Sequence, residues 1–173
     1  MKIALITNLK HQISAILGTI GILSVMGFTI VSASPIIYAV QGTFPPTTTL
    51  SVSFHNQGGH NIIDLKSIGN LTGTITGYYI ATGNVTLSNG GTVGQYIAVD
   101  NCYCTINGYL YHFSLLERGT VIVTNQRTGA ATLNSTSIVI PNNNGISGYI
   151  SFLGVADVYT FVNSGIYYGQ ITA

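Results

Sequence analysis

Between Leu50 and Ala173 the apolar residues never settle into a helical rhythm. Short runs of Ile, Val, Tyr and Phe are cut every few residues by Gly, Asn or Thr, and no window of a dozen residues repeats apolar side chains at the spacing of a helix face. Such a chain must satisfy its backbone in ladders between strands. Strands are expected over residues 50–55, 71–87 with a break, 92–99, 102–106, 109–116, 120–124, 130–140, 146–152, 155–161 and 166–172. Two of these runs flank Asn107-Gly108, a two-residue loop suited to a type I′ turn whose twist matches paired antiparallel strands. Gly73, Gly77, Gly83, Gly90, Gly91 and Gly94 fit the bends of a strongly coiled sheet. The expected fold is all-β, a single antiparallel barrel of about eight strands.

Charge is the next constraint. Only 5% of the 173 residues are charged, against about 25% in an ordinary soluble domain. Lys2 and Lys10 precede the first apolar run, and without them Lys66, Arg118 and Arg127 face Asp64, Asp100, Glu117 and Asp157, a net charge of about −1. Three scattered cations cannot form the phosphate-binding footprint of a nucleic-acid partner. Four scattered acids do not make a multi-carboxylate calcium site. No cofactor is implied.

Residues 13–31 (ISAILGTIGILSVMGFTIV) carry no charge, and Val31-Ser32-Ala33 offers small residues for a signal peptidase. Residues 1–33 therefore read as a hydrophobic helix, either a signal peptide or an N-terminal membrane anchor that is kept, since about nineteen apolar residues approach a membrane span. Membrane contact is expected only through residues 13–31, if uncleaved. A secreted or cell-surface location follows. Residues 34–49, with QGTFPPTTT, read as an extended Thr/Pro spacer, and residues 50–173 as the β domain.

Residues 94–123 (GQYIAVDNCYCTINGYLYHFSLLERGTVIV), then Asn144-Gly145-Ile146-Ser147-Gly148-Tyr149, Gly154-Val155-Ala156 and the closing run from Tyr167 to Ile171, resemble the allene oxide cyclase and dirigent barrel group. The resemblance covers roughly residues 94–172 and rests on a strand ending near Gly119-Thr120, a Gly-x-x-Gly turn, a further Gly and a closing strand with a Tyr. It implies an eight-stranded antiparallel barrel around an apolar cavity, in proteins that cyclise an epoxide or orient radicals. None of that group's catalytic acid, base or radical-orienting residues is carried over to a position of this chain.

Few side chains carry chemistry. Tyr109, Tyr111 and Phe113 alternate with Leu110, His112 and Ser114, so one strand face is aromatic, serving as core or as a ligand platform. His112 and Glu117 are a candidate acid–base pair, although their odd separation puts them on opposite faces of a regular strand. His55, His60 and Asp64 surround a Gly-rich turn and are weak candidates for a metal, against the simpler reading of a polar loop. Cys102 and Cys104, two residues apart, would sit about 7 Å apart on one face, which leaves a local disulfide, two buried thiols or links between subunits. Asn70, Asn84 and Asn134 head sequons for glycosylation, a count that chance alone can supply.

Three function classes remain. The first is an exported barrel that binds or orients a small apolar molecule in a dirigent-like way, without demonstrable catalysis. The second is a structural surface or filament subunit, a homo-oligomer built by strand pairing. The third is a barrel isomerase or cyclase of the allene oxide cyclase type.

Overall fold

The computed structural model describes residues 35–88, 90–141 and 145–173. The expected signal peptide or anchor, residues 1–33, lies outside the described residues, as does Asn144. The described chain contains nine strands and no helix: β1 (Ile37–Phe44), β2 (Thr48–Gln57), β3 (His60–Gly73), β4 (Ile75–Leu87), β5 (Val93–Ile106), β6 (Tyr109–Asn125), β7 (Ala130–Ile140), β8 (Ser147–Asp157) and β9 (Val162–Thr172).

All nine belong to one sheet, and every pairing is antiparallel. Their order is β1-β9-β8-β7-β6-β5-β4-β3-β2, with β1 also pairing β3. That last pairing, Gly42 with Gly73 and Thr43 with Thr72, brings the sheet back on itself as a ring. Thr74 Oγ1 reinforces it by donating to Gln41 O and accepting from Gln41 N, both at 2.6 Å. The remaining edge of β3, residues 60–68, is covered by β2.

Expectations from the sequence change in three places. Residues 60–70, outside every expected strand, make up most of β3. Residues 37–44, read as spacer, form β1, because Tyr38, Val40, Gly42 and Phe44 alternate inward and bury Val40 and Phe44 in the core. The strand ends at Pro45-Pro46, where no backbone N–H is available for a ladder. Further on, the four runs read over residues 92–124 are two long strands. The chain does not break at Asp100-Asn101 or at Glu117-Arg118-Gly119. β5 and β6 pair without a bulge, from Ile106 opposite Tyr109 to Val93 opposite Ile122.

At the Asn107-Gly108 loop φ is 50° and 84°, the left-handed conformation a type I′ turn demands and glycine adopts without strain. Gly108→Val places a β-branched side chain there. It should lower stability by about 1 kcal/mol or more, read as a lower urea midpoint at unchanged slope.

Alternation along the strands sends one set of side chains into the ring, and that interior has three zones. One end is packed solid around Phe44, Ile75, Ile106, Phe113, Leu115, Ile150, Tyr167 and Ile171. A polar belt follows, with Ser67, Asp100, Glu117, Ser135 and Ser137 buried. Beyond it Val121, Ala131 and Leu133, with Tyr96, Val123, Ala156 and Val158 against them, line a hollow end.

Candidate functional site: an apolar cavity above a buried carboxyl pair

The hollow end holds a cavity of about 680 Å³, walled by Ile63, Leu65, Val85, Leu87, Val121, Val123, Leu133, Ala156, Val158 and Val162. Gly91 and Gly94 add no bulk to one side of it. Its mouth lies where β2 meets the β8–β9 turn. Thr49 Oγ1 donates to Thr160 O and Phe161 O at 3.1 and 3.0 Å, and Thr47 N donates to Asn163 O at 3.0 Å. These bonds bring the Phe54 and Phe161 rings to 5.8 Å between centroids at the opening. Phe161 has φ of 57°, a left-handed conformation that an aromatic residue adopts only at a cost of roughly 1–3 kcal/mol.

The floor is polar. Tyr96, Leu133 and Asn163 line the cavity and also a void of about 10 Å³ beneath it, which is bounded by Ser67, Tyr79, Asp100 and Glu117. Asp100 is 1% and Glu117 6% exposed. The β5–β6 register sets them side by side, since Glu117 faces Ala98 and Asp100 faces Leu115. Glu117 accepts hydrogen bonds from Ser135 Oγ, Asp100 and Tyr96. Gly119 makes the first of these possible: a Cβ there would stand 2.4 Å from the Ser135 Cβ and 2.3 Å from Asn134 O.

Burial pushes the Asp100 carboxyl well above the usual carboxylate range, and the neighbouring Glu117 raises it further. Burial also raises Glu117, while its three donors pull the other way. Asp100, the more strongly raised of the two, donates to Glu117, and the two carboxyls titrate as a pair. Tyr96 and Tyr79 are held well above the ordinary phenol range, chiefly by burial and then by these carboxyls, and remain neutral donors. Asp100 Oδ1, Ser137 Oγ and Asn163 Oδ1 are buried without a hydrogen-bond partner. Buried orphans of this kind are uncommon and call for an explanation.

The residues singled out from sequence lie elsewhere, with one exception. Tyr109 is 67% exposed beside its turn, Tyr111 packs at the margin of the solid core, and Phe113 is 1% exposed within it. None of the three lines the cavity. His112 is on the outer face, stacked on Tyr103 at 4.3 Å between ring centroids, while Glu117 points inward, so the two do not meet. His55 Nδ1 lies 3.1 Å from Asp64 Oδ2 on the exposed β2–β3 hairpin. His60 is exposed at the turn, and no three potential metal ligands gather among the described residues.

Cys102 and Cys104 are free, buried thiols on the uncompressed β5. Cys102 Sγ lies 3.9 Å from Asp100 O and Cys104 Sγ 3.7 Å from Tyr78 O, as donors; the contact between the two sulfurs and then burial push Cys102 up, while that contact draws Cys104 down against its burial. Asn70, Asn84 and Asn134 point to the outside of the ring, with Asn84 half-buried.

Asp100 was missed as a site residue, and Glu117 was paired with the wrong neighbour. A signal for both existed. Counting back from the Asn107-Gly108 turn puts Ala98 opposite Glu117 and Asp100 two places further on, both on the face of Cys102 and Cys104. Ending the expected strands at Val99 and Leu116 leaves both acids outside them and obscures that parity.

No family model matches the chain, and comparison with curated proteins and with solved structures likewise gives no significant match.

Proposed function

We propose that the ring of strands is an antiparallel barrel whose open end holds one small, largely apolar molecule, binding or orienting it rather than transforming it. The observation that carries this reading is the cavity itself. Its 680 Å³ falls within the range of about 300–1,000 Å³ typical of small-molecule sites, and apolar side chains from β3 to β9 wall it. A folded chain does not ordinarily leave so much apolar surface unpacked, because interiors fill to near crystal density. The dirigent-like resemblance of residues 94–172 points the same way.

A second reading, a subunit assembling by strand pairing, draws on β2, which pairs with β3 alone and leaves its other edge open beyond Thr49. One experiment separates the two. The hydrocarbon probe 1,6-diphenylhexatriene should become fluorescent on binding the purified protein. Ala156→Trp, which fills the cavity from β8, should reduce the signal at least tenfold. A protein that stays dark with the probe and migrates as polymers would overturn the binding reading and favour the second.

A further inference from the structure

The polar groups around the cavity are not a random mixture. Three donors along it are already engaged: the Tyr96 hydroxyl with Glu117, the Tyr159 hydroxyl with Gln126 O, and Gln126 Nε2 with Gly90 O at 3.2 Å. Two buried acceptors beside these spaces are left without a partner. Asn163 Oδ1 is buried and unpartnered at the floor, and Asp100 Oδ1 is buried and unpartnered in the void below. The Tyr96 oxygen keeps lone pairs once its hydrogen is given away.

Charge follows the same sign. Glu117 lies beneath the floor and Asp157 at the rim, where Asp157 Oδ1 accepts from the backbone of Tyr159 and Thr160 at 2.8 and 3.1 Å. No Lys, Arg or His lines either space among the described residues. A buried carboxylate without a cation is costly to keep, and a cation supplied from outside relieves that cost.

Resting on the binding reading above, we propose that the guest is a monocationic amine on an apolar body, its ammonium donating to Asn163 Oδ1 and the Tyr96 oxygen above the Asp100–Glu117 pair. The apolar walls take the body, and the acceptor floor selects the head. An alcohol of the same shape gains at most one donated hydrogen bond and no attraction to Glu117. A carboxylate is repelled.

The test is a matched series on the full-length protein: 1-naphthylmethylamine, 1-naphthalenemethanol and 1-naphthoate at pH 7, each displacing 1,6-diphenylhexatriene. The amine should bind about tenfold or more tighter than the alcohol, the margin of a charge-assisted hydrogen bond, and the carboxylate weakest. Glu117→Gln and Asn163→Ala should each bring amine and alcohol within about twofold while the hydrocarbon probe still binds. Either variant suffices if the other does not fold. Amine and alcohol binding equally to the wild-type protein, with the probe bound, would overturn the amine assignment and leave the binding reading standing. Failure of the probe to bind wild-type protein would overturn both.

Discussion

Tyr167→Phe should destabilise the protein by about 2–4 kcal/mol, out of proportion to the loss of one oxygen. The Tyr167 hydroxyl is buried in the solid end of the ring, where it donates to Ile75 O and accepts from Ile75 N, both at 2.9 Å. Ile75 opens β4 directly after the bend at Thr74, and this one side chain from β9 serves both of its backbone groups across the interior. Phenylalanine keeps the ring and its packing but leaves a buried N–H and a buried C=O without that partner, at about 1–3 kcal/mol each. Urea denaturation decides the point. A midpoint shift equivalent to less than about 1 kcal/mol would mean that the two groups find other partners.

Stability should fall as pH rises above the ordinary carboxylate range. Asp100 is raised by burial and by Glu117, and Glu117 is raised by burial, so the folded state binds protons more tightly than the unfolded chain. Raised carboxyls contribute stability that is fully present below their unfolded values, near pH 4. It is lost as pH climbs from there through the raised folded values. The protein should therefore unfold at a lower urea concentration at pH 8 than at pH 5. Asp100→Asn, nearly the same shape and unable to ionise, should flatten that dependence while still donating to Glu117. A wild-type profile flat between pH 5 and 8 would mean that the pair does not hold its proton.

The two predictions draw on opposite zones of one interior. The solid end resembles an ordinary core, and its polar exception is a hydroxyl that completes the backbone bonding. The belt is different, since Asp100 and Glu117 occupy positions that leucine or valine would fill at less cost. Groups kept in place at such a cost, beneath a cavity they help to floor, fit a site better than a scaffold.

Much of this was legible locally. The absence of helical spacing forced the backbone into ladders, and the glycine and asparagine of residues 107–108 suited the left-handed turn observed there, because both signals depend only on a few neighbouring residues. The inward parity of Asp100 and Glu117 was legible too, once the turn pinned the register. Other features had no local signal. That residues 37–44 close the ring depends on Gly42 and Thr43 meeting Gly73 and Thr72, about thirty residues away. That one end of the interior is filled and the other hollow depends on side chains from eight strands converging at each level, a sum no single strand carries. The strand class, the hairpin and the supply of two interior acids were local properties of the chain. That those acids pair beneath a cavity was not, because burial and cross-strand neighbours, rather than residue type, bring them together and raise them.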